Sequence, residues 1–409
     1  MRHCTKCLYP ENHALGITFN EDGICSGCLI HEEKNKNIWD NKEKELNHLL
    51  NNYKLRNKKN YDCIIPISGG KDSLFIAHTI KNTYNLNPLL VTYNRYYNTA
   101  GGVYNIELIR SAIGCDIIAQ TPNPARLRKL TRMSLELVGS IHWPYLAGAT
   151  TFPVQVAAQK GIPLIIWGAH QGLEQVGMFS HFDNVEMSKW YRNEHDLMAL
   201  APEEIVPQDH GLSTSDLASL FYPQDDIIRQ KGIRGIYLGN YIRWDTKMQH
   251  EEMHKIYPVY REQQHRTFDN YSDPDCLIYN TLHDEIKFRK FGYSVVNDHV
   301  AREIRHGRIT TSQGLQLIRK YRNQATANLG RELKILDISQ KEIFDAVDKH
   351  RDPRVWKKTD SGWELNSIES CALSGEGELT LEEKAKYTEF LPRRIGRPSA
   401  HRILLKGGS

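Results

Sequence analysis

From Tyr61 onward, short runs of consecutive apolar residues alternate with stretches of helical periodicity. Cys63-Ile64-Ile65-Pro66-Ile67, Leu89-Leu90-Val91-Thr92-Tyr93, Asp116-Ile117-Ile118-Ala119 and Pro163-Leu164-Ile165-Ile166-Trp167 are such runs. A strand that is apolar at successive positions suits a parallel sheet covered on both faces. Between the runs, apolar positions recur at helical spacing over residues 72–81, 105–113, 126–138 and 150–160. Strand and helix in alternation predict an α/β fold with a doubly wound, Rossmann-like parallel sheet. After about residue 256 the pattern turns helical, over 284–290, 297–306, 312–321 and 340–349. Ahead of the sheet, residues 33–60 are rich in Lys, Glu and Asn, with Ile38, Trp39, Leu46, Leu49 and Leu50 spaced as on a solvated connecting helix. The chain thus divides into 1–32, 33–60, 61–255 and 256–409.

Composition narrows the class. A net charge of +4 over 409 residues is too mild to argue for nucleic-acid binding. No run of about 18 apolar residues occurs, so no membrane span is expected. Met1-Arg2-His3-Cys4 lacks the apolar core of a signal peptide, and the expected location is the cytoplasm.

Eight cysteines are too sparse for a disulfide scaffold, but four of them form Cys4-x₂-Cys7 and Cys25-x₂-Cys28. Two such knuckles separated by residues 8–24 match a four-thiolate zinc ribbon, a closed and therefore structural site.

The first apolar run leads into Ser68-Gly69-Gly70-Lys71-Asp72-Ser73, with Leu74, Ala77 and Ile80 on one face of the helix that follows. Strand, glycine loop and helix N-terminus make an anion site, because outward amides and the helix dipole favour negative charge. Ile65 and Asp72 break Walker A spacing. The hexapeptide instead resembles the PP-loop of the N-type ATP pyrophosphatases, which holds the β,γ-pyrophosphate of ATP. Ser68, Gly69, Gly70 and Ser73 would hold phosphate oxygens. Lys71 would neutralise the leaving pyrophosphate, and Asp72 suits Mg²⁺ better than phosphate. Tyr93 and Asn94, past the second strand, and Gly168, past the fourth, fall where the nucleotide crevice of such a sheet lies.

His250-Glu251-Glu252-Met253-His254 fits the zinc-protease pattern HExxH. Its wet flanks and the nearby Pro258 make it a chance match. Arg302, Arg305 and His306 recur at three and four, so they share a helix face that either binds a diphosphate or is merely solvated.

Together these stretches resemble the N-acetyl sugar amidotransferases of surface-polysaccharide (lipopolysaccharide) biosynthesis. The resemblance is carried by the cysteine quartet, residues 67–73, 88–92 and 163–168, Asn270-Tyr271-Ser272-Asp273, residues 287–293 and residues 298–308. Where that family usually continues after Trp-Gly with Glu-Asn-Pro, this chain has Ala169-His170-Gln171, with Glu174 following. The resemblance implies conversion of an acetamido group on a nucleotide-linked sugar to an acetamidino group through an adenylated imidate. It implies Glu174, Arg302 and Arg305 as candidates for the acceptor site. It also implies a separate glutaminase and cyclase-like pair supplying ammonia, since the chain shows no glutaminase domain.

The rival reading is a PP-loop tRNA-modifying enzyme of the thiolase kind. Those with an iron–sulfur cluster need three further clustered cysteines, and Cys63, Cys115, Cys276 and Cys371 are scattered.

Overall fold

In the computed structural model, residues 2–56, 61–95, 98–270, 274–275, 277–322, 324–327 and 329–365 are described. Tyr271, Ser272, Asp273, Cys276 and Cys371, singled out from the sequence, lie outside the described residues.

The cysteine-bearing segment leads into α1 (Ser26–Glu33), and α2 (Trp39–Arg56) connects it to the sheet. Next come β1 (Cys63–Pro66), α3 (Lys71–His78), β2 (Pro88–Tyr93), α4 (Ala100–Ile113) and β3 (Ile117–Gln120). Then follow α5 (Pro124–Val138), α6 (Trp143–Lys160) and β4 (Leu164–Trp167). Four short helices, α7 (Gln171–Glu174), α8 (Lys189–Tyr191), α9 (Thr214–Ala218) and α10 (Asp225–Lys231), precede β5 (Arg234–Tyr237) and α11 (Thr246–Ile256).

The five strands form one parallel sheet in the order β3-β2-β1-β4-β5. Cys63, Ile64 and Ile65 are all fully buried, as expected for a central strand with helices on both faces. One face carries α2, α3, α4 and α11 over Ile65, Leu90 and Ile166; the other packs α6 through Val154 and Ala157 against Ile64, Leu89 and Ile165. Each such side chain contributes about 1.5–3 kcal/mol on burial. Succession reverses between β1 and β4, so the crevice at the topological switch point lies above these two strands.

The C-terminal region adds α12 (Leu277–Phe291), α13 (Val295–Arg305), α14 (Thr311–Arg322), α15 (Leu329–Leu336) and α16 (Gln340–Asp348). Its described residues also include an antiparallel hairpin, β6 (Trp356–Thr359) with β7 (Gly362–Leu365), which departs from the all-helical expectation. Val296, Val300, Ala301 and Ile304 of α13 share a core with Leu8, Tyr9, Leu15 and the four cysteines. Leu282, Ile286, Ile343 and Val347 pack instead on Leu135 and Ile141, at the end of and just past α5. The apolar core of the cysteine-bearing segment is therefore covered by α13 and α14. Among the described residues no helix is long and apolar enough to cross a membrane.

Candidate functional site

The loop after β1 is held by its own hydroxyls. The Ser68 amide donates to Ser73 Oγ at 3.1 Å, and the Gly70 amide donates to Ser68 Oγ at 3.2 Å. Gly69 has φ +82°, and a Cβ there would stand 2.6 Å from the Gly102 carbonyl of α4, so only glycine fits. Asn105 of α4 clamps the loop by donating to the Gly69 carbonyl at 3.1 Å, and its Oδ1 accepts from the Tyr260 amide. Gly70, the residue ahead of α3, caps it without a side chain, so no capping group competes for the first-turn amides. Gly168, just past β4, lets that strand end approach α3: a Cβ would sit 3.0 Å from Ile76 Cδ1. Tyr93 lies at the end of β2 with its ring buried against α6, where a Cβ on Gly148 would strike it, and Asn94 donates to Thr121 Oγ1 at 2.6 Å.

Lys71 opens α3 and its charge reaches across to the C-terminal region. Burial and then the Lys71 ammonium push His250 of α11 down to about 4. Burial also pushes His299 of α13 down to about 4, Asp269 opposing and Arg302 and Lys71 reinforcing. Asp269 is raised by burial, but His299, Arg302 and Lys71 outweigh this and hold its carboxylate well below the usual range. Arg302 Nη2 donates to Asp269 Oδ2 at 2.6 Å, and Thr267 Oγ1 lies 2.6 Å from His299 Nδ1. Lys71 of the glycine loop is thus within electrostatic reach of a group in which Asp269 and His299 are buried and Arg302 is half-buried.

His299 also borders a polar cavity of about 220 Å³, together with His13, Gln171, Arg266, Lys287 and Asp298. Its charges are paired: Lys287 Nζ with Asp298 Oδ2 and Arg266 Nε with Asp284 Oδ2, both at 2.5 Å. A cavity walled by neutralised charges and amides suits a hydroxylated, uncharged group better than a free anion. Its walls come from residues 13–15, the stretch after β4, residues 264–267, and α12–α13 with the turn between them. No local sequence signal joins these segments, and Asp269, His299, Lys287 and Asp298 had no assigned role in the sequence reading.

Three sequence-derived acceptor residues are placed otherwise than expected. Glu174 Oε2 accepts from Lys34 Nζ at 2.5 Å, tying α1 to the stretch after β4. Arg302 and Arg305 share no open face. Arg302 is turned onto Asp269 and Glu303, while Arg305 donates to the carbonyls of Glu174 and Gln175 and lies 3.3 Å from Cys25 Sγ. His306 sits 3.2 Å from Asp245. Spacing of three and four put the side chains on one stretch of helix, but Asp269 and Glu303 draw Arg302 aside while Arg305 is buried against Cys7 and Cys25.

The four cysteine Sγ atoms are buried and lie within 4.8 Å of one another, with Cys4 to Cys28 at 3.8 Å and Cys7 to Cys25 at 3.5 Å. Sulfurs about 2.3 Å from a tetrahedral ion stand about 3.8 Å apart, so the set fits a four-thiolate metal site. The amides of Cys7 and Cys25 donate to Cys4 Sγ at 3.4 and 3.3 Å, and the Arg305 guanidinium offsets the negative charge of such a site. Among the described residues it is the one group of three or more metal-type ligands close enough to share an ion. His250 and His254 form no such group.

Residues 265–369 match the family model described as LPS biosynthesis protein WbpG-like, C-terminal domain. A curated relative, an uncharacterized protein (MJ1599) of Methanocaldococcus jannaschii, is 30% identical over 102 residues, covering 25% of this chain and 36% of that protein. The matched stretch thus spans about a third of the relative's length. Among solved structures, NMN synthetase from Francisella tularensis aligns with TM-score 0.28 and 14% identity over 53% of this chain and 86% of its own. The U34-tRNA thiolase NcsA from Methanococcus maripaludis with its [4Fe-4S] cluster gives 0.29 and 15% over 91% and 96%. Likenesses this distant carry nothing about chemistry. The family match, by contrast, falls on the helices that wall the polar cavity, in keeping with the resemblance to the N-acetyl sugar amidotransferases.

Proposed function

We propose that the chain is an ATP-dependent amidotransferase that turns an acetamido group of a nucleotide-linked sugar into an acetamidino group, in the cytoplasmic assembly of a surface polysaccharide. The observation that carries this reading is the pairing of two parts: a glycine loop at the switch point, and a polar cavity walled largely by the WbpG-like region, whose wall residue His299 feels the charge of Lys71 from the loop. An amide resists ammonia because its oxygen is a poor leaving group. Attack of that oxygen on the α-phosphorus of ATP forms a P–O bond and breaks the bond to pyrophosphate, while the amide N–H proton is lost. Ammonia then adds to the imidate carbon and AMP departs with the former amide oxygen, leaving the amidine.

Ser68, Gly69, Gly70 and Ser73 hold the phosphates in this scheme, and Lys71 stabilises the departing pyrophosphate. Asp72, beside Lys71 in the first turn of α3, is the carboxylate suited to bind Mg²⁺, which when bound supplies further neutralisation of phosphate charge. Cys4, Cys7, Cys25 and Cys28 would hold Zn²⁺, the ion that favours four thiolates in a closed tetrahedron, in a structural role. Ammonia would come from a separate glutaminase. The test is an acceptor labelled with ¹⁸O in its acetamido group: label recovered in AMP, with pyrophosphate as co-product, supports the scheme. ADP and phosphate as the acceptor-dependent products would refute it.

A further inference from the structure

A second cavity, of about 200 Å³, opens at the carboxyl ends of β4 and β5 and is bordered by Trp167, His170, Met187, Tyr191, His195 and Tyr237. β4 pairs directly with β1, so this cavity lies one strand over from the glycine loop. Gln171 borders both it and the polar cavity.

Three of its wall residues carry buried polar atoms with no partner in the protein: His170 Nε2, Tyr191 OH and His195 Nε2. All three residues are more than nine-tenths buried. An unpartnered buried polar atom costs roughly 1–3 kcal/mol, so three around one cavity require an explanation.

The hydrogens on these groups follow from their other contacts. The Gly172 amide donates to His170 Nδ1 at 3.0 Å, so Nδ1 bears no hydrogen. Burial, and then the neighbouring His195, pushes the ring well below its ordinary pKa, leaving it neutral with its hydrogen on Nε2. That atom is a donor. Asp196 Oδ1 lies 2.6 Å from His195 Nδ1 and draws a hydrogen there, so the tautomer set by this contact presents a bare Nε2 as an acceptor. Burial raises the Tyr191 phenol well above its usual value, so its hydroxyl stays protonated. The rings are close-set: Tyr191 is 4.4 Å from His170 and 4.6 Å from His195, centroid to centroid.

A carboxylate would meet an acceptor here and an ammonium would meet a donor. A phosphate finds no open cation, since Arg192 is committed to Thr150, Asn193 and the carbonyls of Ala147 and Leu220. A secondary amide satisfies all three groups: its C=O accepts from His170 Nε2 and, on its second lone pair, from the Tyr191 hydroxyl, and its N–H donates to His195. Its methyl group would meet Trp167, Met187 and Tyr237. We infer that this cavity is the subsite for the acetamido group of the acceptor, with His170, His195 and Tyr191 as its specificity determinants. The inference rests on the acceptor class proposed above and places the acetamido group in the structure. Ala169-His170-Gln171, the stretch where this chain departs from the family pattern, supplies one of these determinants.

The test is saturation-transfer NMR on the full chain with three probes: free N-acetylglucosamine, glucosamine and uridine. N-acetylglucosamine should bind with its acetyl methyl most strongly saturated, and glucosamine and uridine should not compete. Tyr191→Phe and His195→Gln, checked by circular dichroism for parental folding, should each weaken N-acetylglucosamine about tenfold, the loss of one hydrogen bond. Should His195→Gln not fold, Tyr191→Phe alone decides. Unchanged affinity in the folded variants, or uridine displacing N-acetylglucosamine, overturns the subsite.

Activity separates this inference from the proposed reaction. AMP formation dependent on an acetamido acceptor, with KM untouched by both variants, removes the subsite and leaves the reaction standing. Variant-sensitive N-acetylglucosamine binding, without acceptor-dependent AMP from any acetamido sugar, supports the subsite and removes the reaction.

Discussion

Replacing Gly69 by Ala tests whether the loop between β1 and α3 is shaped for a phosphate chain. At φ +82° a side chain costs about 1–2 kcal/mol of backbone strain. The new Cβ would also stand 2.6 Å from the Gly102 carbonyl, a backbone atom in α4 that cannot swing aside. Relief requires the loop to move, which removes the Asn105 bond to the Gly69 carbonyl, worth about 0.5–1.5 kcal/mol. The sum is about 1.5–3.5 kcal/mol. If the loop yields by leaving its phosphate-ready conformation, that energy is lost from ATP affinity, about 10–400-fold.

Gly114→Ala is the matched control. It has φ +72° and caps the same α4, but nothing lies within 4 Å of its Cβ, so it bears the strain alone. Calorimetric titration with a non-hydrolysable ATP analogue, alongside thermal unfolding, reads both terms. The expectation is weaker nucleotide binding for Gly69→Ala only, with some loss of stability in both variants. Equal nucleotide affinity in the parent and the two variants would refute the assignment of this loop.

Lys71→Ala should lower acceptor-dependent AMP formation on the order of 10²-fold, by loss of one preorganised charge, with little change in melting temperature; an unaltered rate removes Lys71 from the chemistry. Elemental analysis should find one zinc per chain, and Cys25→Ser should lose both the metal and much of the stability; a metal-free parent counts against the ribbon. Ammonium salts should support turnover alone, and glutamine only with an added glutaminase; glutamine hydrolysis by the isolated chain contradicts this. Burial raises the Glu332 carboxyl from its ordinary 4.5 up to about 8, although Thr281 Oγ1 donates to it. Between those values the folded chain keeps a proton that the unfolded chain has lost, so stability falls as pH rises through the window. Glu332→Gln should flatten that part of the melting-temperature profile, and an identical profile disproves it.

The parallel sheet was legible because strands buried on both faces are written as unbroken apolar runs, as in β1, β2 and β4, and the half-buried edge strand β3 still carries Ile117-Ile118-Ala119. β5 was not, since Arg234-Gly235-Ile236-Tyr237 is short and half polar. Its glycine answers to a neighbour, as a Cβ there would meet Met187 at 2.7 Å. The start of α4 was missed for a related reason. Gly101 and Gly102 lower helix propensity but are needed where Tyr260 and residue 275 press against the helix. The glycine loop and the cysteine quartet are contiguous or nearly so, and could be read directly. The buried polar network could not, because Lys71 opens α3, His299 lies in α13 and Asp269 in the stretch between α11 and α12. Periodicity assigned Arg302 and Arg305 to one face but said nothing of what would cover it.

The bond from Tyr9 to Asp298 joins residues 289 positions apart, and Arg305 reaches back to Cys7 and Cys25 across a similar span. During synthesis at roughly 5–20 residues per second, the cysteine segment leaves the ribosome about 15–60 s before α13 exists to cover it. Throughout that interval four thiols and the apolar residues around them face the cell unshielded. Early capture of a metal ion would occupy the thiols and fold the segment before oxidation or misassociation could. The arginine then arrives as a late seal, so the order in which the chain is made becomes a condition of its folding.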